Sequence, residues 1–336
     1  MDPLILCGAL LLDAILGDPP WRFHPVRLIG ALAADSEEFW RKRLSPTAAG
    51  RAAWITVVLV TILVSATLLF VCDLSWKALF AMLPALPAHA AGWGPKLASI
   101  FLLWSSIAPR DLATHALRVA ASLRDKGVDG GEVALGPARR ALSMIVGRDV
   151  EVLDDSGIAR AAVESVAESS VDGVLAPLFW FFVLGPLGAM AYRAINTMDS
   201  MFGHKNERYI LFGRLAAQAD DVANWIPARL SLPCIALAAF LTRLDWRAAL
   251  RIGLRDRKKH ESPNAAWPEA AFAGALGLRL AGPLRYSGEL HDKPFLGEGR
   301  LEALPRDIGR AVVLMYLAIL VPAAFAAAIV LAMGGT

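Results

Sequence analysis

The chain has 336 residues and a mass of 36.0 kDa, with 56% hydrophobic and 19% charged residues. Its mean hydropathy of +0.48 excludes a disordered chain and points to membrane-spanning helices. A formal net charge of +3, from 34 Lys and Arg against 31 Asp and Glu, is too mild for a nucleic-acid binder.

Two stretches have the length and composition of spans. Residues 52–72 and 311–336 carry no charge, and a helix crossing ~30 Å of hydrocarbon needs about 20 apolar residues. We take 52–72 and 311–333 as spans. Shorter apolar segments follow at 3–17, 97–109, 174–192 and 230–242. The first contains Asp13 and lacks the basic start and cleavage site of a signal peptide. Gly185-Pro186 splits the third, which is expected to fold back as a re-entrant hairpin. Residues 73–96 hold Pro84, Pro87, Gly92, Gly94 and Pro95 and read as an irregular external connection. Cys7, Cys72 and Cys234 stand in apolar stretches with no CxxC spacing; they are expected to be buried, not to form disulfides or a zinc site.

Loop charge sets the expected orientation. Residues 18–51 carry six Lys or Arg, 110–173 eight and 243–310 thirteen, against two in 73–96. The first three loops are expected in the cytoplasm and the last outside. Re-entry at Gly185 also leaves 193–229 on the cytoplasmic side. Strand signals are scarce. The expected fold is mainly α: one polytopic integral membrane unit with large cytoplasmic helical insertions.

Charged residues concentrate in a few blocks. After the first apolar helix, Pro19, Pro20 and Pro25 stiffen a loop bearing Asp18, His24 and Arg27. It suits ligand capture, or equally an interfacial turn anchored by Trp21. Residues 155–172 read as a helix capped by Asp155 or Ser156. Glu164, Glu168 and Asp172 then share one face. Like charges repel there, and a divalent cation would relieve them; a solvated acidic stripe is the plainer alternative.

Further on, Arg193, Asn196 and Asp199 lie three residues apart, in a turn ended by Gly203, with Arg208 following. Asp220, Asp221 and Asn224 precede Arg229, in a helix expected to end before Pro227. Carboxylates and amides hold Mg²⁺ while Arg neutralises phosphate; structural pairing among these groups is the alternative. In the loop from 256 to 274, Pro268 suits the first turn of a helix starting near Glu269. Ser262 and Asn264 lie before it, where an anion can bind, and His260 can act as acid, base or donor. Arg257, Lys258 and Lys259 read as a basic run beside the membrane. No P-loop, GxGxxG, HExxH or GxSxG is present.

The blocks GDPPWRFHPVRLIG, RDLATH, VGRD, AAVESVAESSVDGVLAPLFW, YRAINTMDSMFG, ERY, DDVANWIPARL and HESPNAAWPEAAFAGALG resemble those of the cobalamin-biosynthesis CobD/CbiB family, in the same order, from residue 13 to about residue 299. The resemblance implies an integral membrane ligase, an adenosylcobinamide-phosphate synthase. It would join adenosylcobyric acid to (R)-1-amino-2-propanol phosphate, or to the free amino alcohol, using ATP and Mg²⁺. Three positions depart from the family pattern: Ser169 where Asn is usual, Gly203-His204 after DSM, and Ala266 for Gly.

On that footing Glu164, Glu168, Asp172, Asp220 and Asp221 are expected to hold the metal. Arg193, Arg208 and Arg229, with Asn196, Asn224, Ser262 and Asn264, would bind substrate and phosphate. Asp199, His260 and Asp172 are the catalytic candidates, and Asp18, His24 and Arg27 would hold the amino-alcohol phosphate or the propionate. Partners would be the lipid bilayer and neighbouring lower-ligand enzymes, with no nucleic acid. The competing classes are a Mg²⁺-dependent prenyl- or alcohol-phosphotransferase, which would not consume ATP, and an AmpE-like sensor, which would tolerate loss of the carboxylates. A transporter would show paired broken helices in a repeat, and none is found.

Overall fold

A computed structural model describes the chain except Met1, Pro20, 84–89, Ala91, 126–134, Ser287 and 335–336. The side chains of Tyr286, Pro322 and 325–334 also lie outside the described residues. The fold is mainly helical. Among the described residues, two helical runs are long and apolar enough to cross a membrane, Pro46–Met82 and Asp155–Phe202; Arg214–Ala223 with Trp225–Leu241 adds a third if that broken pair counts as one span.

The chain divides into two units. The first holds Met1–Ala108, Ala176–Ala223 and Ala327–Thr336; the second holds Pro109–Leu175 and Asn224–Ala326.

The first unit begins with α1 (Pro3–Leu16). Asp2 accepts the Leu4 N–H at 3.0 Å, and Gly17 closes the helix at φ 65°, a backbone that favours glycine. Then come α2 (Pro25–Arg41), α3 (Pro46–Met82) and α4 (Trp93–Ser106). Pro46 starts α3 at the position where proline costs no hydrogen bond. The 52–72 span is therefore one part of a 37-residue helix. Residues 73–82 belong to that helix and are not loop, because nothing between Asp73 and Met82 breaks it and Lys77 pairs with Asp73 at 2.6 Å. Pro84 and Pro87, which suggested the irregular connection, lie outside the described residues.

After the break between units, α8 (Ala176–Phe202) and α9 (Arg214–Ala223) complete the first core. Ile29, Ala49, Val57, Leu102, Met198 and Phe212 are among its buried residues. Gly185 breaks α8 at φ 68°, ψ −161°. A Cβ on Gly188 would lie 2.4 Å from the Trp180 carbonyl oxygen. Eight residues of straight helix would separate those positions by about 12 Å, so the chain turns sharply back on itself here.

The second unit contains α5 (Pro109–Arg124), α6 (Gly136–Ser143) and α7 (Asp155–Ser170). Asp154, one residue earlier than expected, caps α7 by accepting the Gly157 N–H at 2.7 Å. A π-helical turn, Val171–Leu175, follows. Then come α10 (Trp225–Leu241), α11 (Trp246–Asp256) and α12 (Ala266–Leu276). Two small antiparallel pairs, unexpected from the sequence, join β1 (Leu280–Ala281) to β4 (Phe295–Leu296) and β2 (Leu284–Tyr286) to β3 (Glu289–His291). The strands are two or three residues long, too short to show alternation. Last is α13 (Pro305–Gly334). The expected 311–333 span is helical, but its side chains from 325 onward lie outside the described residues.

The cysteines are free, as expected, but none is buried: Cys7 is exposed, and Cys72 and Cys234 are half-buried. All three stand on apolar helices.

Candidate active site

The second unit contains a half-open cavity of about 160 Å³. Arg148, Glu164, Glu168, His260, Glu269 and Lys293 supply its charged and titratable lining. Four segments deliver them: the loop before α7, α7 itself, the stretch from 257 through α12, and the small β region.

Glu164 is tied on both oxygens. Arg148 donates to Oε2, and the Ala281 N–H donates to Oε1 at 2.7 Å. That arrangement fastens α7 to β1 and neutralises one carboxylate. Glu168, one turn on, is exposed at the cavity. Asp172 is not part of the lining. It falls in the π-turn, where i→i+5 bonding departs from the 3.6-residue repeat that placed it in the stripe. The expected three-carboxylate face therefore reduces to Glu164 and Glu168.

Glu269 replaces it as the third carboxyl. It is 5% exposed and lines the cavity from within α12. Burial pushes its pKa well above the usual carboxylate range, and the charges of Glu168 and Glu164 add to that. Its helix begins at Ala266, three residues before the expected start, which places Pro268 within the first turn.

His260 accepts the Ser262 N–H on Nδ1 at 3.0 Å. A neutral ring held this way carries its proton on Nε2 and presents a donor. Burial, then the charge of Lys293, lowers its pKa and favours that neutral form. Ser262 Oγ accepts the amides of Asn264 and Ala265 at 3.2 and 3.4 Å. Those two N–H groups, expected to hold an anion, are already occupied. Asn264 is buried, and its Oδ1 receives Arg229 Nη1 at 3.4 Å. Arg229 also donates to the Trp225 carbonyl at 2.6 Å and stacks on Trp225 and Trp267, 4.0 and 5.2 Å from the ring centres. This cation anchors the 256–265 loop to α10.

A second anchor holds the β region. Asp256 is fully buried, receives Arg255 and Lys259, and accepts the Gly297 N–H at 2.9 Å. These partners outweigh the effect of burial and hold its carboxyl below the usual range.

The first unit gathers a separate set. His24 is 3% exposed, with Nε2 3.4 Å from Asp18 Oδ1 and its ring edge-on to Trp104. Burial lowers its pKa; the charge of Asp18 opposes this, while those of Arg193 and Arg27 add to it. Arg193 donates to Asn196 Oδ1 at 3.4 Å, and Asn196 donates to Asp220 Oδ1 at 3.3 Å. So Asp18, His24, Arg27 and Arg193 come together, and so do Arg193, Asn196 and Asp220. Asp199 lies at the end of α8, where a Cβ on Gly203 would fall 2.0 Å from its Oδ1. The helix break expected before Pro227 occurs at Asn224 instead. Asn224 precedes α10, and Pro227 occupies that helix's first turn, where proline is accommodated. Asp221 is half-buried on α9.

Arg208 is placed differently from expectation. It donates to Glu37 Oε1 at 3.0 Å, as does Arg41 at 2.8 Å. Glu37, not a phosphate, is its partner, and the trio braces α2 against the 203–213 segment. Among the described residues, no group of three or more His, Cys, Asp or Glu side chains is arranged to hold a metal ion.

Sequence reasoning missed Glu269, Arg148 and Lys293. Glu269 is the only acid in the run from Ala265 to Leu276, a signal that was available. Arg148 lies in VGRD, recognised only as part of a block. Nothing in the sequence marks Lys293.

A mainly helical protein with membrane-length apolar helices and a mixed-charge cavity in its second unit is the class that these features define. The chain belongs to the CobD/CbiB family: the family model described as CobD/Cbib protein matches residues 6–315. It is 45% identical over 322 residues to a cobalamin biosynthesis protein CobD of Brucella suis, covering 93% of this chain and 92% of that one. Identity is 42% to a CobD protein of Klebsiella pneumoniae and 41% to a cobalamin biosynthesis protein CbiB of Salmonella typhi, each over 95% of this chain and 94% of the relative. No solved structure matches.

Proposed function

We propose that the protein acts in cobalamin biosynthesis as a membrane amide ligase, an adenosylcobinamide-phosphate synthase. It would join adenosylcobyric acid to (R)-1-amino-2-propanol phosphate or aminopropanol at the expense of ATP. One observation carries the reading. Three sequence blocks far apart in the chain, VGRD, ESVAESS and HESPNAAWPE, meet in one cavity that holds both carboxylates and cations.

A carboxylate does not acylate an amine at neutral pH without activation. In the reaction we propose, the propionate oxygen attacks the γ-phosphorus of ATP and ADP leaves. The amine nitrogen then attacks the acyl carbon, phosphate leaves, and the nitrogen gives up a proton. Cationic side chains must neutralise the transferring phosphoryl group. Arg193 and Arg27 in the first unit are of the right type.

Mg²⁺ is usually held by one or two carboxylates together with water and phosphate, so the lack of a three-ligand group is compatible with it. Asp220 and Asp221, with the Asn196 amide beside Asp220, fit this demand by donor chemistry. Glu164 fits less well, because Arg148 and Ala281 already hold both its oxygens. The metal would supply charge neutralisation. His260, with its proton on Nε2, serves as a donor in this geometry, not as the base for the amine. The active site would face the cytoplasm, and docking with neighbouring lower-ligand enzymes would account for the membrane location of a reaction between water-soluble substrates.

The test is an assay of detergent-purified protein with adenosylcobyric acid, aminopropanol phosphate, ATP and Mg²⁺. Cobinamide phosphate with ADP is the expected outcome. AMP in place of ADP would replace phosphorylation by adenylation, and no product from folded protein would reject the ligase. Replacing Asp220 and Asp221 together by Ala is expected to lower turnover by about 10²–10³-fold or more with membrane insertion intact. Wild-type turnover in that variant would remove the metal from this pair.

A further inference from the structure

The cavity of the second unit is small for the reaction proposed. Its volume is about 160 Å³. Drug-sized ligands occupy roughly 300–1,000 Å³. A three-carbon amino alcohol bearing one phosphate matches such a space, whereas a nucleotide or a corrin ring would extend beyond its walls.

The lining has two chemical ends. Glu269 is a carboxyl in the wall, 5% exposed, and a carboxyl held out of water gains from a charged or hydrogen-bonding ligand. Glu168 stands at the same cavity. Arg148, which also pairs with Glu164, lines the same cavity together with Lys293 and His260. A ligand that satisfies both ends carries an ammonium group and an anionic oxygen group a few bonds apart.

We propose that this cavity is the subsite for the small amine substrate, with Glu269 receiving its ammonium nitrogen, assisted by Glu168, and with Lys293, Arg148 and His260 receiving its phosphate. The assignment rests on the ligase reading for its identity as an acceptor subsite, and on volume and lining for its chemistry.

Ligand deletion on the unaltered protein tests this without any folding concern. Calorimetry on detergent-solubilised wild type would compare aminopropanol phosphate, propanol phosphate lacking the amine, and aminopropanol lacking the phosphate. Each deletion is expected to weaken binding at least about tenfold, as hydrogen bonds to charged groups imply. Equal affinity for propanol phosphate would overturn the role of Glu269, and equal affinity for aminopropanol would overturn the role of Lys293 and Arg148.

Steady-state kinetics localise the effect. Glu269→Gln is expected to raise KM for the amine about tenfold or more while KM for ATP stays within twofold. Lys293→Met is expected to erase the preference for the phosphorylated amine. Ligation by the wild type with an unchanged amine KM in Glu269→Gln sinks the subsite but keeps the ligase. Binding of aminopropanol phosphate with no ligation by any amine sinks the ligase but keeps the subsite.

Discussion

Helices α3 and α12 look alike in sequence and live in different solvents. Both are strongly apolar. Along α3, Ile55, Leu59, Leu63, Val64 and Phe70 are exposed, and only 22% of its most apolar window is buried in protein. Along α12, ten of the eleven residues are buried, the exception being the half-buried Trp267. An apolar residue facing outward on α3 makes sense if lipid is what it meets. On α12 the same composition fills a protein interior, and there a single acid, Glu269, can be held out of water beside a cavity. Composition alone does not separate the two cases. Length does: 37 residues against 11.

The sharpest way to break that contrast is to put a charge on the outward face of α3. Leu63→Arg should cost about 2.5–3.5 kcal/mol of insertion free energy if the site is near the bilayer centre, read as a fall in the inserted fraction. Insertion equal to wild type would mean that protein or water, not lipid, covers this face. A smaller effect is expected at the packed face of α12. A Cβ on Gly274 would lie 2.4 Å from the Ala248 carbonyl oxygen, and neither backbone can yield easily. Gly274→Ala should cost about 1–3 kcal/mol, measured by denaturant unfolding in detergent. An unchanged midpoint would show that α11 and α12 part more easily than their contact implies.

The smallest effect is one of sign. Glu269 binds its proton more tightly folded than unfolded, because its folded pKa is raised. Its contribution is therefore full below the ordinary Glu range and declines as pH rises toward the folded value. Glu269→Gln removes that slope. The variant should melt above wild type at pH 8, and the two should converge as pH falls toward about 4. Parallel curves would mean that Glu269 ionises as freely as an exposed carboxyl. A bound amine should narrow the gap at pH 8.

Much of the scaffold was legible beforehand. The uncharged run 52–72 announced α3, and Gly185-Pro186 announced the break in α8. Local rules govern those features, and local rules are readable. What escaped depended on distance in sequence. Arg208 looked available until Glu37 came to meet it. Glu164, Glu168 and Asp172 form a stripe by arithmetic, and a π-turn removes the third. Ser262 looked like an anion site until its own loop curled back to occupy it. The mixed charge of the cavity required Arg148, Glu269 and Lys293 to converge from three segments, which no periodicity encodes.

The reversal at Gly185 affects bookkeeping of a different kind. From Val174 to Leu184 the apolar arm has eleven residues, or about 16 Å of helix, roughly half of the ~30 Å hydrocarbon thickness. Any count of crossings that enters 174–192 as one full traverse changes the parity of the tally. Every residue downstream, from Arg193 to the carboxyl terminus, changes compartment with that single step. Reporter fusions placed before Val174 and after Gly203 would read the same side or opposite sides, and that one bit would fix the sidedness of the remaining chain.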